Sequence, residues 1–361
     1  MIKALYVHVP FCAHICSYCD FMRVGYHPSL VQQYLNGLKQ EILTYDLKEI
    51  DTLYLGGGTP SALSAEELRE LFEILTPYID QCLERTIEIN PETLTQDKLK
   101  VMVEYGINRV SLGVQSFDEE ELLLLNRLHK NEHVLTCIEM LRTAGITNIS
   151  IDLMYALPHQ TYVSFEKNLD IALALPITHL SIYALTIEEN STWGRQDIQA
   201  VDPEIEEKMY EIAQRKCVDA GFESYEISNF TKGFPSAHNL HYWHYDEYAG
   251  LGPGATSMVN HVRIENTHNL LNYAQGQCVE TRTDLDYDDR CFERIMMGLR
   301  IKAGIDLKDY LNQTKLDLLK LYPEAIQSNV EKGLLKVTDT HLVCTAQGFA
   351  LLHDVLVDFM E

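Results

Sequence analysis

The strongest constraint on the fold is a repeated alternation along the first 220 residues. Short apolar runs are each followed by an amphipathic run of helical period. The strand-like runs are Leu5–Val9, Thr52–Leu55, Thr86–Ile89, Arg109–Val114, Ile149–Met154 and Leu180–Leu185. The helix-like runs are Leu30–Tyr45, a stretch from Ser64, Gln96–Tyr105, Glu119–Leu128 with Val134–Ala144, Phe165–Leu175 and Glu204–Ala220. Ser64 and Glu67 have capping-box spacing. Strands separated by helices predict parallel pairing, and parallel strands buried on both faces read as apolar runs. Ligands in such α/β folds collect at the C-terminal ends of the strands. Cys12, Gly56-Gly57-Gly58, Asn90 and Gln115 follow the first four strands in turn.

Beyond residue 222 the alternation stops. Tyr225–Ile227 reads as one more strand, and Asn229–Gly254 is rich in Gly, His and aromatic residues. From Asp288 the pattern is helix, helix, hairpin, helix. Leu334–Val337 and His341–Cys344 flank the turn, and Ala346–Met360 closes the chain as a helix, a winged-helix-like arrangement. The expected organisation is residues 1–228, a connecting segment 229–284, and a mainly helical C-terminal domain 285–361.

The formal net charge of −24 leaves no basic face for phosphate contacts, so nucleic acid is not an expected partner. The start of the chain lacks the look of a secretory signal, and nine cysteines is an odd number for a disulfide framework, so a reduced, cytosolic setting is expected. Ile171–Ile187 carries no Asp, Glu, Lys or Arg, but Pro176, Thr178 and His179 interrupt it. It reads as a helix end, a turn and a buried strand rather than a membrane span.

Cys12, Cys16 and Cys19 form a C-x3-C-x2-C triplet directly after the first strand. Three thiolates on one loop suit three irons of a [4Fe–4S] cubane and leave the fourth free to chelate an amine and a carboxylate. Structural zinc is the rival, with His8 or His14 as fourth ligand. The remaining cysteines are scattered and read as inert thiols. Glu88, between Ile87 and Ile89, and Asp152, inside IDLMYALP, are carboxylates on apolar strands that need partners.

The triplet resembles that of radical S-adenosylmethionine enzymes. The run LYVHVPFC resembles the oxygen-independent coproporphyrinogen III oxidase-like branch, and His238-Asn239-Leu240-His241-Tyr242-Trp243 resembles the HNxxYW signature of its haem chaperones. The resemblance implies a partial (β/α)6 TIM-like barrel with a winged-helix-like C-terminal domain. It assigns the cluster to Cys12, Cys16 and Cys19, and S-adenosylmethionine contacts to Tyr6, Tyr18, Gly57, Gly58, Thr59, Glu88, Gln115, Arg127 and Asp152. Haem falls to His238, with His241 and His244 as further candidates, because an imidazole can ligate iron and flat aromatics pack on a porphyrin.

The function implied is binding haem and passing it to acceptor haemoproteins such as respiratory enzymes, with a reductant such as a flavodoxin. Homodimerisation and weak peripheral membrane association are compatible with it. The alternative is oxygen-independent coproporphyrinogen III oxidase, which decarboxylates propionate side chains. Its members carry one more cysteine two residues after the triplet, where this chain has Phe21.

Overall fold

In the computed structural model, which describes residues 1–196 and 198–360, six parallel strands pair in chain order. They are β1 (Ala4–Val9), β2 (Thr52–Gly57), β3 (Glu84–Ile89), β4 (Arg109–Gln115), β5 (Asn148–Tyr155) and β6 (His179–Ala184). Residues from the ends of β2 and β6 line one cavity, so the sheet curls into an arc. This is the expected α/β barrel architecture. The outward rows, such as Leu53 and Leu55 on β2 or Ile149, Ile151 and Leu153 on β5, are buried against the helices. The inward rows are more polar than the apolar runs suggest: Tyr6, Tyr54, Glu88, Ser111 and Asp152 face the lumen, and so does Arg109, buried with its Nε unpartnered.

The helices form largely where the periodicity places them. Ser64 accepts from the Glu67 amide, and the Glu67 carboxylate accepts from the Ser64 amide at 2.8 Å. The helix expected over Glu119–Leu128 ends sooner, at Leu124. Asn126 adopts a left-handed φ of 59° and turns Arg127 inward. Tyr225–Ile227 is not a strand. The Glu226 carboxylate accepts from the Ser228 amide at 3.1 Å and bends the chain there. The strand that pairs with β6 is Asn229–Thr231, antiparallel, and Glu223–Ser224 ends the sheet beyond it. Ile171–Ile187 divides into the end of helix Tyr162–Leu173, a turn and β6. Among the described residues no helix is long and apolar enough to cross a membrane.

Segment 229–284 contributes more to the sheet than the sequence suggests. Tyr248–Leu251 lies parallel to β1 on the side away from β2, and Thr256–Val259, Val262–Asn266 and Val279–Asp284 extend the sheet antiparallel, giving twelve strands. Every residue of Val279–Asp284, the free edge, is exposed. Helix Ala237–Trp243 packs at the N-terminal end of the strands, where the Ala237 and His238 amides donate to the Glu84 carboxylate at 3.0 Å. Residues from about 287 onward have their own apolar core, including Ile295, Tyr310, Leu342 and Phe359, around a three-stranded sheet. The closing helix breaks at Leu351 into Ala346–Ala350 and Leu352–Val357.

Buried Glu41, at the end of helix Pro28–Glu41, ties this helix to the sheet extension. It accepts from the Gly252 amide at 2.8 Å, Asn266 Nδ2 at 2.5 Å and Tyr273 Oη at 2.6 Å. Glu41→Leu strands three buried donors, at ~1 kcal/mol or more each. It should lower the free energy of unfolding by ~3 kcal/mol or more in urea titration, whereas Glu41→Gln should cost less.

Candidate functional site

A cavity of about 400 Å³ opens at the C-terminal ends of the parallel strands. The cysteine loop forms one wall. It leaves β1 through Phe11–Cys12, which pairs with Val24–Gly25. Asn126 Nδ2 donates to the Ile15 carbonyl at 2.8 Å and the Trp193 amide to the Ser17 carbonyl at 3.2 Å, so the loop is held from two sides. Cys12, Cys16 and Cys19 are free thiols and all three line the cavity. Burial pushes the Cys12 thiol up and the Cys19 thiol to about 11, so metal binding must displace their protons.

Among the described residues no three His, Cys, Asp or Glu side chains gather closely enough to hold a single metal ion. His8 is spent elsewhere: Nε2 donates to the Met22 carbonyl at 2.7 Å and Nδ1 accepts from Tyr6 Oη at 3.0 Å. Three thiols on one loop facing one cavity have the number and placement that three corners of a cluster require.

The opposite wall is a cradle in which side chains have no room. A Cβ on Gly56 would lie 2.9 Å from the Glu88 carboxyl, and one on Gly58 would lie 2.8 Å from the Val9 carbonyl oxygen. Gly57 has φ +106°, and a Cβ there would meet the His8 ring at 2.4 Å. Thr59 Oγ1 lies 3.7 Å from Cys12 Sγ, joining cradle to loop.

Glu88 Oε1 accepts from Tyr54 Oη at 2.8 Å and Oε2 from the Gly57 amide at 3.1 Å. Burial raises its pKa to about 7 against the pull of these bonds, with Asp152 adding repulsion and Arg109 opposing it. Asp152 accepts from Ser111 Oγ at 2.9 Å and is raised to about 6, again by burial. Both strand carboxylates thus have the partners their burial demands.

Arg127 is half-buried beside the cysteine loop instead of lying on a helix surface. Its Nη2 donates to Asn90 Oδ1 at 2.9 Å and to the Gly113 carbonyl, Nη1 lies 3.5 Å from Cys16 Sγ, and buried Nε has no partner. Gln115 has a left-handed φ of 69° at an irregularity in the β4–β5 pairing and accepts from Tyr183 Oη at 2.8 Å. A buried non-glycine residue held in that region is strained. Tyr18 lines the cavity with its ring 6.2 Å from Trp193.

The structure therefore gathers Tyr18, Gly57, Gly58, Thr59, Glu88, Gln115, Arg127 and Asp152 around the three cysteines. Tyr6 is not among them. Its side chain lines a second cavity, of about 460 Å³, together with Tyr54, Glu88, His238, Tyr242, Trp243, Tyr245, Tyr248, Met258 and Met297. Glu88 is common to both cavities.

His238, expected to offer a nitrogen to haem iron, is 1% exposed and has none to spare. Nδ1 is bonded to Thr52 Oγ1 at 2.9 Å and Nε2 to Tyr242 Oη at 2.8 Å. His241 Nδ1 pairs with Asp246 at 2.8 Å, and exposed His244 caps the helix end; neither lines the cavity. Three further residues of the first cavity are Asn90, Met154 and Tyr183. The sequence marks Asn90 only as lying at a strand end. Tyr183 and Met154 are legible only once β5 and β6 are in register, where they stand side by side.

Residues 6–172 match the Radical SAM superfamily and residues 285–351 match the HemN C-terminal domain. The chain is 35% identical to the heme chaperone HemW of Bacillus subtilis, covering 99% of each chain. It is 30% identical to the heme chaperone HemW of Escherichia coli, covering 99% of this chain and 98% of that one. The solved radical SAM coproporphyrinogen III oxidase HemN of Escherichia coli superposes with a TM-score of 0.86, covering 99% of this chain and 90% of that one. At 23% identity this is a likeness of fold.

A carboxyl whose folded pKa is raised favours folding most fully while it is protonated. The ligand-free protein should lose stability through Glu88 as pH rises from about 4.5 to about 7. Glu88→Gln removes that loss. Its thermal midpoint should match wild type near pH 4.5 and exceed it at pH 8, by an amount corresponding to at most ~3 kcal/mol. A gap that does not change with pH would contradict the assignment.

Proposed function

Because this chain belongs to the HemW family within the radical SAM superfamily, we propose that it is a haem chaperone that binds haem and passes it to acceptor haemoproteins. In this reading Cys12, Cys16 and Cys19 hold a [4Fe–4S] cluster and the glycine cradle holds S-adenosylmethionine beside it. The observation that carries it is the convergence in one cavity of three free thiols, a cradle without room for side chains, and the carboxylates Glu88 and Asp152.

When bound, such a cluster supplies one-electron chemistry and an open iron for the cosubstrate's amine and carboxylate. The protein's share is positioning. The cradle backbone would take the methionyl end, and Glu88 would accept from its ammonium group. Asp152 would accept from ribose hydroxyls. Arg127, with a buried Nε to spare, would meet the carboxylate or the ribose and add positive charge beside Cys16.

Haem goes to the second cavity. Its tyrosines, Trp243, Met258 and Met297 offer flat and soft apolar walls, and its volume lies in the range of small-molecule sites. Respiratory enzymes are the class of acceptor we assign, with a flavodoxin-like protein as reductant. Phe21 stands in the first cavity's wall where the oxidases carry their extra thiol, which favours the chaperone over coproporphyrinogen III oxidase.

Anaerobically reconstituted protein should carry about four irons and four sulfides per chain, and Cys12→Ala, Cys16→Ala and Cys19→Ala together should abolish both. It should bind about one haem per chain and release it to an apo-haemoprotein. Conversion of coproporphyrinogen III to protoporphyrinogen IX by the same preparation would overturn the chaperone reading.

A further inference from the structure

Among the described residues Arg263 is the one Lys or Arg in the lining of the second cavity. Resting on the reading that haem enters this cavity, we infer that Arg263 receives a propionate carboxylate of the porphyrin and so fixes which edge of the flat ring faces outward.

Tyr248, Met258 and Arg263 are cross-strand neighbours in the sheet extension, so their side chains share one face and follow one another outward from β1. All three line the cavity. Arg263 is therefore the outer end of a row whose inner members are an aromatic ring and a thioether. Helix Tyr287–Gly298 adds Glu293 and Met297 to the lining, one turn apart.

Arg263 Nη2 donates to Glu293 Oε1 at 2.7 Å, and Tyr245 Oη donates to Glu293 Oε2 at 2.5 Å. Glu293 thus holds the guanidinium at that end of the cavity. It occupies only one of the guanidinium's N–H donors, and Arg263 has no other hydrogen bond among the described residues. With 35% of its side chain exposed, the rest of the fork is open to a second carboxylate, the group its planar donors match.

The other charged groups of the lining disfavour the opposite orientation. Glu88, on the barrel side, is bonded to Tyr54 and the Gly57 amide, and Asp246 is paired with His241. A propionate turned toward either would meet a carboxyl group. Behind the lining stand two more guanidiniums. Arg294 lies over the Tyr245 ring, 4.8 Å from its centroid, and Arg300 over the Trp243 ring at 5.1 Å. In a chain with 53 acidic and 29 basic side chains, three guanidiniums against one cavity favour an anionic ligand there.

The test is titration of the full chain with ferric haem and with its dimethyl ester, in which both carboxylates are capped, in the same dilute detergent. Wild type should bind the ester about tenfold more weakly. Arg263→Gln should weaken haem about tenfold and change the ester by less than about twofold. Arg263→Lys, which keeps the charge, should recover part of the loss. Far-UV circular dichroism melts establish that each variant is folded.

If Arg263 only braces strand Val262–Asn266 against helix Tyr287–Gly298, Arg263→Gln weakens haem and ester alike, and the proposal falls. It also falls if wild type binds haem and ester equally, a comparison that needs no variant. Met297→Trp, which fills the cavity with a larger neutral side chain, tests the reading beneath and should weaken both ligands. If it does so while wild type does not distinguish them, the cavity reading stands and the Arg263 assignment falls. If Met297→Trp weakens neither, haem lies elsewhere and both fall.

Discussion

A half-buried carboxylate inside the barrel, Glu88, sets the terms for the centre of this molecule. Taking it out of water is tolerable only because Tyr54 Oη and the Gly57 amide both donate to it. Those bonds fix what surrounds it. Position 54 must carry a hydroxyl on a long flat side chain. Position 56 must be glycine, since a Cβ there would press on the carboxyl, and 57 must tolerate a left-handed backbone. The same carboxylate is common wall to both cavities, so glycine cradle and aromatic chamber share one joint.

The barrel was readable because its outward rows obey one rule. Leu53, Leu55, Ile149, Ile151 and Leu153 face helices, and burial on that side leaves little freedom of residue type. The cysteine loop was readable for a different reason: Cys12, Cys16 and Cys19 are close in the chain, so spacing alone brings them together. The helix start at Ser64 is local chemistry and formed as its capping pair requires.

What was not readable depends on contacts distant in sequence. Arg127 has the look of a helix-surface cation until the left-handed turn at Asn126 swings it beneath Cys16. Tyr6 precedes the cysteines closely, yet strand alternation sends its side chain into the neighbouring cavity. Tyr225–Ile227 has strand composition, but the buried Glu226 carboxylate captures a backbone amide two residues on and bends the chain. His238 carries the plainest functional signal after the cysteines. Its partner Thr52 comes from β2, far away in sequence, and together with Tyr242 one helical turn on it turns a candidate ligand into a packed, doubly bonded ring.

The sheet that supports both cavities is long and open, and its margins matter for the cell as well as for the fold. On one side it finishes in Val279–Asp284, fully exposed, with Glu280, Arg282 and Asp284 at every second position. On the other it finishes in the two-residue strand Glu223–Ser224. A charged margin and a very short one are poor templates for another chain's backbone. Twelve strands can therefore stand side by side in one molecule without inviting a neighbour's strands to continue the ladder into a fibre.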